Sequence, residues 1–168
     1  MIAYRDATPT DAPALRALFV ESFTATFGHL YAPADLAAFL VDFTEDSWRA
    51  QLADPAFAFR VATDGDTIAG YAKIGPVAFP GDWPADAIEL YQLYVLGPWQ
   101  GTGIAAALMD WVLAAARHRG ARELILSVYV DNHRARRFYQ RYGFAEIGRY
   151  TFMVGDHEDD DRLMRLEL

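Results

Sequence analysis

The apolar positions of the chain change their period several times, and each change marks an element. "MIAYRDA" alternates and reads as an edge strand. In "PTDAPALRALFVESFTATFG", Leu15, Leu18, Phe19, Phe23 and Phe27 recur near helical spacing behind polar residues able to cap, which predicts a first helix. Pro33 stands near the start of a second, "APADLAAFLVDF", and "TEDSWRAQLAD" predicts a third that stops before Pro55. "FAFRVAT" and "TIAGYAKIG" read as a hairpin turning at "DGD", where Gly65 can take a positive φ. A loop runs from Pro76 to Pro84, and "AIELYQLYVL" has the aromatic and branched content of a buried strand ending at Gly97-Pro98. From Thr102 onward Ile104, Leu108, Trp111, Val112 and Ala115 form one helical face, closed by Gly120 as C-cap. "RELILSVYV" is a strand, Asp131 or Asn132 can cap the helix "HRARRFYQRYG", and "FAEIGRYTFMVG" and "DRLMRLEL" predict two closing strands. The order is that of a mixed α/β domain.

Composition narrows the class. The 168 residues, 53% of them apolar, suffice for one substantial core; with no repeat or linker, residues 1–168 are expected to form a single domain. A formal net charge of -8 argues against a nucleic-acid partner and tolerates cationic or amine substrates. No apolar run approaches the roughly 18 residues of a membrane span, and the N-terminus lacks the pattern of a secretion signal, so the expected setting is the cytoplasm, away from membranes. The absence of cysteine excludes disulfides, zinc-thiolate sites and a cysteinyl acyl intermediate. Four scattered histidines form no metal constellation, no G-x-S-x-G elbow occurs, and "DHEDDD", acidic enough to attract polyamines or a cation, lacks the calcium-loop pattern and reads as a solvated hairpin turn.

The stretch "WQGTGIAAALM" puts glycine and alanine where a strand ends and a helix begins. A helix N-terminus preceded by glycine presents free N–H groups and the positive end of the dipole, a seat for phosphate. A bare strand-to-helix turn would use the same glycines. The Walker pattern fails, since no Gly-Lys-Ser/Thr follows. A dinucleotide fingerprint fits Gly101, Gly103 and Ala106 in form, but that motif opens a βαβ repeat and here it stands late in a short chain.

Gln100-Gly101-Thr102-Gly103-Ile104-Ala105 resembles the [Q/R]-x-x-G-x-[G/A] signature of the GNAT superfamily of acetyl-CoA-dependent N-acetyltransferases. The strands "IELYQLYVL" and "LILSVYV" and the segment "DNHRARRFYQRYGF" resemble its successive elements in order and spacing. "FTATFGHLY" and "YTFMVGDHEDDDRLMRLEL" are similar to its bacterial polyamine (spermidine/spermine) branch. The resemblance implies an α/β (α+β) GNAT fold: a mixed, mostly antiparallel sheet of about seven strands, splayed between the fourth and fifth, with four or five helices on both faces. It implies acetyl-CoA as cosubstrate, no metal, a small amine as acceptor, with a protein N-terminus or lysine, or a non-catalytic acyl-CoA sensor, as the alternatives, and a homodimer as one option, since family members often dimerise.

Residue by residue, the resemblance implies that the backbone from Gln100 through Gly101, Thr102, Gly103, Ile104, Ala105 and Ala106 cradles the CoA pyrophosphate. Pantetheine would pair with Leu93, Tyr94 and Val95, with a bulge at Leu93 turning its N–H toward the thioester carbonyl. Tyr139, in the N-x-x-A-x-x-x-Y pattern completed by Asn132 and Ala135, is the implied general acid, against a plain packing role. Asn132 would touch the pantetheine arm or serve only as a helix cap. Among Arg134, Arg136, Arg137 and Arg141, Arg137 is the candidate for the CoA 3′-phosphate. Glu89 matches the catalytic glutamate of the histone-acetylating members; base, amine-binding charge and ordinary strand carboxylate stay open for it. His29 and Tyr31, in the segment after the first helix, and Tyr91, on the strand face of Glu89, are the candidates for the acceptor cleft.

Overall fold

The computed structural model describes residues 1–168. The alternating segments form seven strands: β1 (Ile2–Asp6), β2 (Ala58–Asp64), β3 (Thr67–Pro76), β4 (Ala87–Val95), β5 (Glu123–Tyr129), β6 (Ala145–Val154) and β7 (His157–Glu167). The helical segments form α1 (Ala12–Phe27), α2 (Pro33–Leu40), α3 (Glu45–Ala53), α4 (Ile104–His118) and α5 (His133–Arg141). The strands make one sheet in the order β1-β2-β3-β4-β5-β7-β6, with β1 at an edge as its sequence suggested. Every neighbouring pair is antiparallel except β4 and β5, which run parallel.

Helices cover both faces. Ile104, Leu108, Met109, Val112 and Ala116 of α4 pack with Leu124, Leu126 and Met164 of the sheet, and Phe138 and Tyr139 of α5, with Tyr142 just after it, close that side. The α4 face is turned slightly from the expected one: Met109 and Ala116 are buried where Trp111 and Ala115 were expected, and the latter two are only partly covered. On the opposite face Leu15, Leu18, Phe19 and Phe23 of α1 and Trp48 of α3 pack with Val61, Ile68 and Tyr71, joined by Leu36 and Phe39 of α2. Pro33 opens α2 with its fixed φ, and Thr44 caps α3, its hydroxyl accepting from the Ser47 N–H at 3.1 Å.

Two local readings change. The bulge in β4 lies at Tyr91, not Leu93: Lys73 pairs with Gln92 and Ile74 with Leu90, so Tyr91 is the extra residue. And "DHEDDD" is only briefly a turn, at Gly155 and Asp156; β7 begins at His157, so Asp159 and Asp161 lie within the sheet at 5% and 6% exposure. The period-two run of His157, Asp159, Asp161 and Leu163 explains this, since a strand that alternates keeps every second side chain on one covered face.

Candidate active site

β4 and β5 stay paired for only three positions, Ala87 with Glu123, Ile88 with Leu124 and Glu89 with Ile125. The Tyr91 bulge follows within two residues, bending and twisting β4 away from its parallel neighbour. A cleft of about 730 Å³ opens where the two strands diverge. The Leu96 N–H donates to Ala69 O at 2.9 Å, so the alternation of the antiparallel ladder turns the amides of Tyr94 and Gln92 toward β3 and those of Leu93 and Val95 into the gap. Consistent with this, Val95 O is free to accept the Gln100 side-chain amide at 3.0 Å.

At the mouth of the gap the chain turns into α4. Gly101 and Gly103 adopt φ of +78° and +91°, a conformation costly to any residue with a Cβ, and a Cβ built at either would meet no atom within 4 Å. The first helical bond there is Ala107 N–H to Gly103 O at 3.0 Å. Six consecutive N–H groups, Gly101 through Ala106, therefore donate to no protein acceptor, and they stand at the positive end of a 15-residue helix. Thr102 closes the turn by donating its hydroxyl to Trp99 O at 2.6 Å and does not line the cleft. Ile104 turns its side chain into the core at 1% exposure, leaving only its backbone at the site. Gly101, Gly103, Ala105 and Ala106 line the cleft.

One side of α5 forms one wall. Asn132 caps it, its Oδ1 accepting the Ala135 N–H at 3.3 Å, and also lines the cleft. Tyr139 is held between Phe138 and Phe144, with ring centroids 5.5 and 5.6 Å away, and its hydroxyl donates to no protein group. Burial pushes its pKa up to about 12, so the phenol stays protonated at neutral pH. Tyr94, raised by burial and then by the nearby Tyr139 and Asp161, shares that region of the cleft. The four arginines of α5 divide clearly. Arg134 donates to Gln100 Oε1 at 2.7 Å, a contact that ties α5 to the glycine turn and that the sequence did not announce. Arg136 pairs with Glu146 at 3.2 Å, and Arg141 lies over the Phe138 ring at 5.8 Å. Arg137, exposed and lining the cleft, has no acidic partner.

The far wall belongs to the face covered by α1, α2 and α3. Tyr31 is buried at 8% exposure, stacks on Phe23 at 6.0 Å, and donates its hydroxyl to Asp159 Oδ2; His157 Nε2 lies 3.3 Å from Oδ1 of the same carboxylate. Asp161 lines the cleft beside Asp159, and burial followed by the Asp159 charge raises its pKa to about 7. His29 is exposed and is not part of this wall. Glu89 is buried at 6% exposure but also lies off the cleft, its Oε2 accepting the Ala78 N–H at 2.8 Å beneath the loop that begins at Pro76. Burial lifts its pKa to about 7, opposed by that N–H and by Lys73. Tyr91 joins the two regions: it lines the cleft and donates its hydroxyl to Pro76 O, and burial followed by the Glu89 charge raises its pKa to about 12. Sequence reasoning placed Asp159 and Asp161 in a solvated turn rather than on a strand at the cleft; the signal against that was the uninterrupted alternation into "DRLMRLEL".

Comparison with known proteins gives this arrangement a context. The profile of the Acetyltransferase (GNAT) family matches residues 13–144. An uncharacterized N-acetyltransferase of Mycobacterium tuberculosis is 37% identical over 160 residues, which cover 95% of this chain and 99% of that protein. The crystal structure of a ribosomal-protein-alanine N-acetyltransferase from Brucella melitensis is 26% identical and superposes with a TM-score of 0.78 over 99% of both chains. The PaiA N-acetyltransferase of Thermoplasma acidophilum, crystallised in complex with coenzyme A, is 17% identical with a TM-score of 0.80 over 100% of this chain and 99% of that one, a likeness of fold alone. None of the helices is long and apolar enough to cross a membrane.

Proposed function

Because the chain belongs to the acetyltransferase (GNAT) family and is an acetyl-CoA-dependent N-acetyltransferase, we propose that it acetylates the primary amine of a small cationic molecule, polyamines included, by direct transfer. The observation that carries this reading is the run of six partnerless N–H groups, Gly101 to Ala106, at the mouth of the gap between β4 and β5. Their donors fit a diphosphate: the space above both glycines is open, the helix dipole favours negative charge, and Arg137 offers an unpaired guanidinium for a further phosphate. Leu93, Tyr94 and Val95 border the gap in which an extended pantetheine arm would lie, and Asn132 stands where it can meet that arm's amides.

Acetyl-CoA, when bound, supplies the acyl group activated as a thioester. The Leu93 N–H, directed into the gap, polarises the carbonyl oxygen, where a donor fixed in advance stabilises developing negative charge. Tyr139, protonated because its pKa is about 12, gives a hydrogen bond and then a proton to the departing sulfur at its Oη. Tyr31 and Tyr91 shape the acceptor side. No side chain of the cleft is needed as a covalent nucleophile.

A second reading, acetylation of a peptide N-terminus, is favoured by the 26% identity to the Brucella protein. Calorimetry with CoA, followed by thiol release with spermidine, spermine, amino acids and short peptides, separates the two. The expected result is CoA binding and turnover on di- and polyamines. Turnover confined to peptides establishes the second reading, and CoA binding without turnover on any amine makes the protein a CoA-binding module instead.

A further inference from the structure

Two buried carboxylates of β7, Asp159 and Asp161, face the cleft, and the fold treats them differently. Asp159 is compensated from within by the Tyr31 hydroxyl and by His157. Asp161 is not. No cation reaches its carboxylate: the neighbouring Arg162 is spent on Asp160 and on Glu146 at 3.5 Å, and touches Asp161 only at its backbone oxygen at 3.2 Å. Its one neutral donor is the Ser127 hydroxyl of β5, which favours the charged form but carries no charge. A carboxylate that is 94% covered, has no cation and lines a cleft calls for a proton or a cationic ligand, since an isolated buried charge is costly.

The position suits the reaction. Asp161 lies opposite Tyr129 of β5 and Tyr150 of β6, on the face closed by α1 to α3, and Tyr94 senses both Asp161 and Tyr139. Glu89, by contrast, has an N–H donor, a nearby lysine and no lining of the cleft. We propose that Asp161 is the group that binds the acceptor's ammonium and takes its proton, with Asp159 as the adjacent fixed charge. This rests on the N-acetyltransferase reading above.

The protons balance. R–NH3⁺ gives one proton to an Asp161 Oδ, and the freed lone pair forms the C–N bond as the C–S bond breaks. Tyr139 protonates the sulfur and regains a proton from the amide nitrogen, and the Asp161 proton leaves to solvent with the product. The charged and titratable groups around Asp161 are Asp159, Asp160 and Arg162 on β7, Tyr150 on β6, Tyr129 on β5, Tyr94 on β4 and Tyr31. Asp159 and Asp160 favour a held proton and Arg162 opposes it, which leaves Asp161 near the balance a base needs at neutral pH.

The test compares wild type with Asp161→Asn, Asp161→Ser and Glu89→Gln. Both Asp161 variants are expected to lower kcat/KM at pH 7 by about 100-fold while leaving CoA affinity by calorimetry unchanged. Diamine binding to the protein–CoA complex is expected to weaken by about tenfold. The acidic limb of the rate profile, near pH 7 in wild type, is expected to move toward the amine's own pKa of about 10, and Glu89→Gln is expected to keep it. An unshifted limb in both Asp161 variants, or its loss in Glu89→Gln alone, overturns the assignment while leaving the transferase reading intact. Wild-type protein inert on every amine removes both.

Discussion

Arg137 carries the simplest residue-scale consequence, because it is the one arginine of α5 with neither a hydrogen-bonded partner nor a ring beneath it. If it meets the 3′-phosphate, Arg137→Ala weakens CoA binding by about tenfold, the worth of a charge-assisted hydrogen bond, and leaves 3′-dephospho-CoA unaffected. Equal losses for both ligands would place the phosphate elsewhere. Tyr139→Phe removes a proton donor without changing the packing against Phe138 and Phe144, so kcat is expected to fall about 100-fold at constant CoA affinity. Asp161 also writes a pH dependence into stability. Its folded pKa of about 7 lies above the ordinary carboxylate value of about 4, so the folded state binds more protons between those values and stability from this group falls as pH rises across them. Asp161→Asn is therefore expected to raise Tm at pH 8 and to do little at pH 4; a gain of the same size at both values would falsify the buried, unpaired carboxylate.

At the scale of elements, the decisive feature is the turn into α4. Gly103→Ala forces a Cβ into a left-handed position at a cost of about 1–2 kcal/mol, while meeting no neighbour, so denaturant unfolding reports backbone strain alone. Asn132→Ala at the start of α5 is expected to cost about 1 kcal/mol through the lost cap. These positions were readable in the sequence, because glycine and asparagine at a helix start act through local backbone chemistry. The elements themselves were equally plain, since their periodicity is local: six strands and five helices stand where the patterns put them, and the seventh strand starts earlier, at His157. What escaped was nonlocal. Whether β4 bulges at Tyr91 or at Leu93 depends on its register with β3, and whether Asp159 and Asp161 face water or a cleft depends on β5 and β6 lying beside them. Glu89 shows the same limit: its position along β4 matched a base, but the loop that folds over it decides what its carboxylate touches.

For the whole molecule, the parallel seam between β4 and β5 is the weak line of an otherwise continuous sheet, three paired positions where the flanking β3–β4 pair has seven. A ligand that binds only the folded state stabilises it in proportion to the logarithm of its concentration over Kd, about 2.7 kcal/mol at a hundredfold excess. Saturating CoA is accordingly expected to raise Tm by several degrees and to slow amide exchange most at Leu93 and Val95. Protection confined to α4 would mean that the arm does not enter the gap. The seam gives the sheet two interior rims of unspent backbone polarity, and a guest lying between them would serve as a borrowed strand. Each catalytic round would then knit the two halves together and, on letting the spent carrier go, unpick them.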